Sequence, residues 1–285
     1  MSDAMPIVGR AAGVPFIAKP PFTRSFEVAP IVITWHLMDP PRTEAAMASA
    51  LPLDGLDAWR IYLGLPMTGS RLPAGGADEI MRLGSEDAVS NLYGPIIIGA
   101  AQEFPAALAE LREQLGARSA CVGLMGGSAG AAVAQLVMAE GDTSVEATVL
   151  VSPMVQLRLT VAAVGRHFGV EYGWTDPSNA VADRLDFVAR AGEIARRQHE
   201  PPIMMIVGDA DDAEFLDSAR AMHAELDRVY ADPDRVRLVT IAGMPHALAE
   251  EPGIEPAPQS ANAAEVDVFA AQWFRQHLDP LPTTG

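Results

Sequence analysis

The sequence predicts an α/β protein with a mostly parallel central sheet and helices on both faces. Three observations carry that expectation. Short β-branched apolar runs alternate with longer Ala- and Leu-rich segments of helical spacing. The runs are almost continuously apolar, as strands buried on both faces require. One junction between a run and a helical segment, "GLMGGSAGAAVAQLV" at 123–137, is rich in small residues, so strand and helix can approach closely there.

In chain order, the strand candidates are "APIVITWH" (29–36), "AWRIYLGL" (58–65), "SACVGLM" (119–125), "VEATVLVS" (145–152), "IMMIVG" (203–208) and "VRLVTIAG" (236–243). Helix candidates fall between and after them at 43–51, 101–115, 129–140, 213–230 and 262–278. The second of these stops at "EQLGA", where Gly116 can take the left-handed cap conformation. Residues before 28 suit an edge hairpin, its strands kept short by Gly13, Pro15, Pro20 and Pro21. Two stretches fit the alternation badly. Residues 66–95 read as a long loop with one helical turn, and 153–200 hold helix-like pieces with no strand between them. The second stretch is either a small helical cap inserted over a pocket or extra helices packed on the sheet. The whole chain, 1–285, reads as one domain.

Composition narrows the function. The 20 basic and 37 acidic residues give a net charge of −17, which disfavours nucleic acid and anionic membrane as partners, because both need Lys and Arg to meet phosphate. No apolar run approaches the ~18 residues of a membrane helix. The start, "MSDAMPIVGR", lacks the basic and apolar segments of a signal peptide, so a cytoplasmic location is expected. The single cysteine, Cys121, sits in an apolar run and reads as a buried structural thiol.

Within the small-residue junction, Gly126-Gly127-Ser128-Ala129-Gly130 fits the pattern G-x-S-x-G. A dinucleotide fingerprint needs G-x-G-x-x-G, and a Walker loop needs Lys before Ser or Thr; neither spacing is present. A serine on such a turn is a nucleophile only if a base and an orienting acid follow later in the chain. "DADDAEF" leaves the strand 203–208 with Asp209, Asp211 and Asp212, and "MPHALAEEPG" leaves the strand 236–243 with His246. Successive strand ends meet at one sheet edge. A calcium loop would need further spaced oxygen ligands and a glycine that the aspartate run lacks. His167, His199, His223 and His277 fall in helix-like or polar segments and suit solvated or capping roles. His36 ends an early strand and is expected in the pocket rather than as the base.

On "GGSAG", "VGDADD" and "GMPHAL", the chain resembles the α/β-hydrolase superfamily, in its esterase and serine-peptidase-like branch, over residues 28–278. The resemblance implies a serine hydrolase without a cofactor. It matches Gly208 and Asp211 to the acid loop, with Asp212 second, and Gly243 and His246 to the histidine loop. It gives one oxyanion donor to the N–H of Ala129 and the other to the loop after an early strand, here "TWHLMDPP". That loop lacks the usual His-Gly, which leaves Leu37 and Met38 as alternatives. The expected substrate is a small-molecule carboxylic ester of small or medium acyl size, in a pocket containing Trp35, His36, Gly127, Met154 and Trp174. A peptide, amide or thioester substrate, acyl transfer to another acceptor, and a non-catalytic binding protein on the same scaffold are the alternatives.

Overall fold

A computed structural model of the chain describes residues 5–278; the first and last residues of the expected 1–285 domain lie outside the described range. An antiparallel hairpin comes first, β1 (Ile7–Ala11) and β2 (Val14–Lys19). Its two-residue turn has φ of 48° at Ala12 and 82° at Gly13, the left-handed pair that matches strand twist. Then follow β3 (Ile31–Trp35), α1 (Glu44–Ala50), β4 (Trp59–Leu63), α2 (Gly76–Ala88), α3 (Gly94–Leu115), β5 (Val122–Gly127), α4 (Ala129–Glu140) and β6 (Ala147–Val151). The remainder is α5 (Leu157–Phe168), α6 (Asp176–Arg184), α7 (Ala191–Arg197), β7 (Ile203–Gly208), α8 (Ala213–Val229), β8 (Val236–Ile241) and α9 (Ala261–Leu278).

The eight strands form one sheet in the order β1-β2-β4-β3-β5-β6-β7-β8. Only the hairpin strands run antiparallel to their neighbours; from β4 to β8 every pairing is parallel. Side chains alternate across the sheet. Ile31, Ile33, Trp35, Leu124, Leu150 and Met205 face the core under α3, α4, α7 and α8. Val32, Tyr62, Met125, Val149, Met204 and Ile206 face the core under α1 and α9. Both faces are therefore dry, which is why the strands read as continuous apolar runs. Register aligns the carboxyl ends, with Trp35 opposite Gly126, Gly127 opposite Val151 and Gly208 opposite Ile241. The loops leaving those five strands therefore emerge on one edge.

The expectation of a long loop at 66–95 is corrected. The segment holds a short 3-10 turn at Gly69–Arg71, the 13-residue α2, and a π-helical turn at Val89–Tyr93 that runs straight into α3. No residue of α2 is fully buried; its core-facing side, with Ile80 and Ala88 packed on the core, is only half-covered. On its outer side Arg82 bridges Glu79 at 2.6 Å and Glu86 at 2.5 Å. α3 begins seven residues before its expected start of 101, because Pro95 is tolerated in a first helical turn and Ile96, Ile97 and Ala100 already face the core.

The stretch 153–200 contains helices and no strand of the sheet. Its base is a neck of two short antiparallel segments. Phe187 N donates to Val155 O at 3.0 Å, Leu157 N donates to Leu185 O at 3.3 Å, and Gln156 pairs with Asp186. α5 and α6 lie within the neck; α7 lies beyond it and packs on α4 and α8. Cys121 is only partly buried, with its thiol pushed up to about 11, chiefly by burial. It is inert rather than nucleophilic.

Phe104 lies edge-on to Trp35 at 5.3 Å, directly beneath the strand end that carries the early loop, and both rings are buried. Phe104→Ala removes this support and leaves a cavity. It should destabilise the protein by about 3–5 kcal/mol in denaturant unfolding.

Candidate active site

The site is built around a turn with almost no side chains. Ser128 separates β5 from α4 with φ 47° and ψ −114°, a strained backbone conformation for a residue bearing a Cβ. It is held by Ser128 N donating to Val151 O at 2.9 Å and by Ala131 N donating to Ser128 O at 3.0 Å. A Cβ on Gly126 would lie 2.2 Å from Gly130 O, and one on Gly130 would lie 2.5 Å from Trp35 O. Only glycine fits at either position. A Cβ on Gly127 would meet Leu37 at 2.3 Å, so the leucine side chain occupies the space that this glycine leaves open.

His246 comes from the loop after β8. Its Nε2 is 2.9 Å from Ser128 Oγ, and its Nδ1 is 2.8 Å and 3.1 Å from the two oxygens of Asp211. Asp211 can only accept, so Nδ1 carries the proton and Nε2 presents its lone pair to the serine hydroxyl. The three aspartates of the β7 loop have three different environments. The Asp211 side chain is 1% exposed and also accepts from Asp212 N at 2.7 Å. Asp209 accepts from Gly243 N at 2.6 Å and so ties the β7 loop to the β8 loop. Asp212 is exposed and precedes α8 without capping it. The two loops touch so closely that a Cβ on Gly208 would lie 1.8 Å from Met244 O.

Burial by itself would lower the basicity of His246. The hydrogen bond and charge of Asp211, with the charges of Asp39 and Asp212, outweigh it and raise the pKa above the usual histidine value. Phe215, from α8, packs on the imidazole at 4.1 Å. Asp39 drew no attention in the sequence. It follows the early loop and brings Oδ2 to 3.7 Å from His246 Nε2, the same nitrogen that faces the serine. Tyr93 also feels this charge; its hydroxyl is pushed up to about 12 by burial, with Asp39 adding to the shift.

The loop after β3 is organised by His36, which is fully buried. Leu65 N donates to His36 Nε2 at 3.1 Å, so that nitrogen is unprotonated and Nδ1 must donate, here to Leu37 O at 2.6 Å. Burial lowers the His36 pKa to about 4, which keeps this neutral tautomer at physiological pH. The Leu37 carbonyl is thereby turned into the protein. A trans peptide points its N–H opposite to its C=O, so the Met38 N–H is presented on the other side. Among the described residues neither Leu37 N nor Met38 N has a hydrogen-bond partner. Ala129 N, in the first turn of α4, is one of the donors that a helix leaves unpaired.

The expected pocket needs correction. Trp35 and Met154 are buried in the core, and His36 is spent on the loop, so none of the three lines an open cavity. Gly127 is covered by Leu37, and Met154 touches the turn only through its N–H, 3.3 Å from Ser128 O. Trp174 is half-buried and pairs edge-on with Tyr172 at 4.8 Å. Both line a cavity of about 530 Å³ between α5 and the segment after it, whose walls include neither Ser128 nor His246. Arg166 lines that cavity and pairs at 2.5 Å with Glu214, the neighbour of Phe215.

Residues 99–279 match the model of the prolyl oligopeptidase family. A crystal structure from Thermus thermophilus superposes with a TM-score of 0.66 at 16% identity, over 98% of this chain and 100% of that one. The acylaminoacyl peptidase of Pyrococcus horikoshii gives 0.65 at 14% identity over 100% of this chain, which spans 44% of the peptidase. Carboxyl esterase 2 from the fungus Tuber melanosporum gives 0.57 at 17% identity, over 98% of this chain and 89% of that one. At such identities the likeness carries the fold, and that fold is the α/β-hydrolase fold. No curated protein matches the sequence. Among the described residues no helix is long and apolar enough to cross a membrane.

The electrostatics of His246 can be read without any substrate. Removing the carboxylate charge in Asp211→Asn leaves the burial penalty opposed only by the charges of Asp39 and Asp212, so the histidine pKa should fall. Asp39→Asn should lower it by less, because Asp39 is farther away and half-exposed. NMR titration of the imidazole in each variant measures both shifts.

Proposed function

The chain belongs to the prolyl oligopeptidase family and is a serine hydrolase of the α/β-hydrolase fold, and from that premise we propose that Ser128, His246 and Asp211 hydrolyse carboxylic esters through an acyl-enzyme. The unbroken run of hydrogen-bonding distances from Ser128 Oγ through both nitrogens of His246 to Asp211 carries this reading.

Ser128 Oγ attacks the carbonyl carbon while its proton passes to His246 Nε2, and the carbonyl π-electrons move to oxygen. Asp211 fixes the imidazole tautomer and stabilises the imidazolium. The imidazolium then gives its proton to the leaving oxygen as the carbonyl carbon–oxygen bond breaks. Water, deprotonated by the same Nε2, attacks the acyl-enzyme, and return of the proton to Ser128 Oγ releases the acid. The oxyanion is bound by the N–H of Ala129 and that of Met38. Met38 is preferred to Leu37 because His36 holds the shared peptide with its carbonyl turned away. Residues 157–185, pinched at the neck, act as a small cap, and the acyl group is of small or medium size.

A second reading, hydrolysis of short amides or peptides, is favoured by the family match. It differs in demanding a better proton donor, because an amide nitrogen cannot leave unprotonated, whereas an alkoxide can. Matched ester and amide substrates separate the two. Faster turnover of the ester is expected, and faster turnover of the amide would replace the first reading with the second. Ser128→Ala should abolish both activities and the fluorophosphonate adduct on the intact protein. A wild-type protein that takes up no fluorophosphonate would remove the hydrolytic reading.

His36→Phe keeps the ring volume and deletes both loop hydrogen bonds. A loosened oxyanion donor acts only in the transition state, so kcat should fall about 10- to 100-fold with little change in KM, measured by steady-state ester hydrolysis.

A further inference from the structure

The mouth of the site carries a negative charge that the hydrolytic machinery does not require. Asp39 Oδ2 lies 3.7 Å from His246 Nε2, on the atom that must receive the serine proton and pass it to the leaving group. Any substrate atom that takes that proton comes within about 3 Å of Nε2. The bonds on either side of the reacting carbonyl therefore pass within a few ångströms of Asp39.

Asp39 has no basic partner to neutralise it. Among the described residues its one ion-pair contact is with His246, which is neutral when the enzyme is ready to act. Arg42, three residues on, is already committed. Its guanidinium meets both oxygens of Glu251 at 2.9 Å, and its Nε donates to Met38 O at 3.0 Å.

The backbone that carries this carboxylate is also held in place. Leu248 N donates to Pro40 O at 2.9 Å, and Arg42 N donates to Gly253 O at 2.7 Å. Gly253, at φ 63°, packs so close to Pro40 that a Cβ there would lie 2.4 Å away. The loop is thus fastened just after Asp39, so the residue stays at the mouth of the site before substrate arrives. An unneutralised carboxylate beside a reaction centre favours positive charge and opposes negative charge. The chain's overall charge of −17 acts in the same direction at longer range.

We propose that Asp39 is a specificity residue that selects substrates carrying an ammonium group within a few bonds of the scissile carbonyl. This inference rests on the reading of Ser128 and His246 as nucleophile and base. It names the substrate class for that reaction: cationic esters or amides, with the charge on either the acyl or the leaving-group side. The Asp39 side chain is 52% exposed, so solvent screens the attraction, and a preference of about tenfold is expected rather than several hundredfold.

The test uses quaternary ammonium substrates, whose charge does not change with pH, each paired with an isostere in which carbon replaces the quaternary nitrogen. Butyrylcholine and its isostere put the charge on the leaving group; ethyl trimethylammoniobutanoate and its isostere put it on the acyl group. The readout is the ratio of kcat/KM, cationic over neutral, on the pH plateau of each enzyme. For at least one pair, the ratio should fall about tenfold from wild type to Asp39→Asn and fall further in Asp39→Lys. It should also fall more steeply with rising salt in the wild type than in Asp39→Asn. The pair that responds identifies the side on which the cation sits. A ratio unchanged by Asp39→Asn in both pairs overturns the inference while leaving Ser128-dependent hydrolysis of the neutral esters intact. If the wild type hydrolyses no ester or amide and takes up no fluorophosphonate, the hydrolytic reading itself fails, and this inference fails with it.

Discussion

Everything at the carboxyl edge depends on one steric constraint, the contact between the start of α4 and the end of β3. Gly130 sits where any side chain would strike the Trp35 and His36 carbonyls, and Gly126 sits where any side chain would strike Gly130. With those side chains absent, the helix starts directly against the sheet. The strained turn that lifts Ser128 out of β5 can then form without opening a gap. Strain of this kind costs of order 1–3 kcal/mol and persists only where the surroundings over-determine it. Here they do so through the buried packing around β5 and α4 and through the hydrogen bond from Ser128 N to Val151 O.

The same approach brings the β3 loop within reach of the turn, and the chain then uses a histidine to fix that loop. His36 accepts from one strand end and donates to its own neighbour's carbonyl, so two backbone segments are joined by one buried ring. Its low basicity follows from burial and is needed for the arrangement, because a protonated ring could not accept from Leu65 N. Histidine thereby replaces the conformational freedom that a glycine pair would give this loop. A flexible glycine loop lets its N–H groups turn towards a substrate, whereas this one has its peptide orientation set in advance.

How much of this could be read from the sequence depended on whether burial left a mark. β7 and α4 lie at the expected residues because β7 is buried throughout and α4 at every residue but Glu140. α2 was hidden because its core-facing side is only half-buried and is interrupted by Gly84, and ion pairs such as Arg82 with Glu79 look like any charged loop. The spacing of Ser128, Asp211 and His246 was legible because each follows a strand, and parallel strands deliver their exits to one edge. Trp35 and Met154 were misassigned because apolar residues near a strand end serve core and pocket equally well in sequence; only Phe104 packing on Trp35 decides the case. Asp39 left no trace, since a lone aspartate before two prolines reads as a turn, and its distance to His246 is set by contacts with residues more than 200 positions later, such as Gly253.

Two carboxylates therefore face the two nitrogens of His246, and their surroundings separate their effects. Asp211 is buried, accepts from the ring and from Asp212 N, and cannot leave without stranding a buried imidazole N–H. Asp39 is half in water, shares no direct hydrogen bond with the ring at 3.7 Å, and acts through charge alone. The fold requires something at the position of Asp211 and is indifferent to the residue at 39, where a neutral side chain would satisfy the same backbone contacts. A charge at a position the fold leaves free, beside the atom that moves the proton, acts on whatever enters the site rather than on the stability of the chain. That asymmetry is the physical ground for assigning Asp39 to substrate choice and Asp211 to the imidazole.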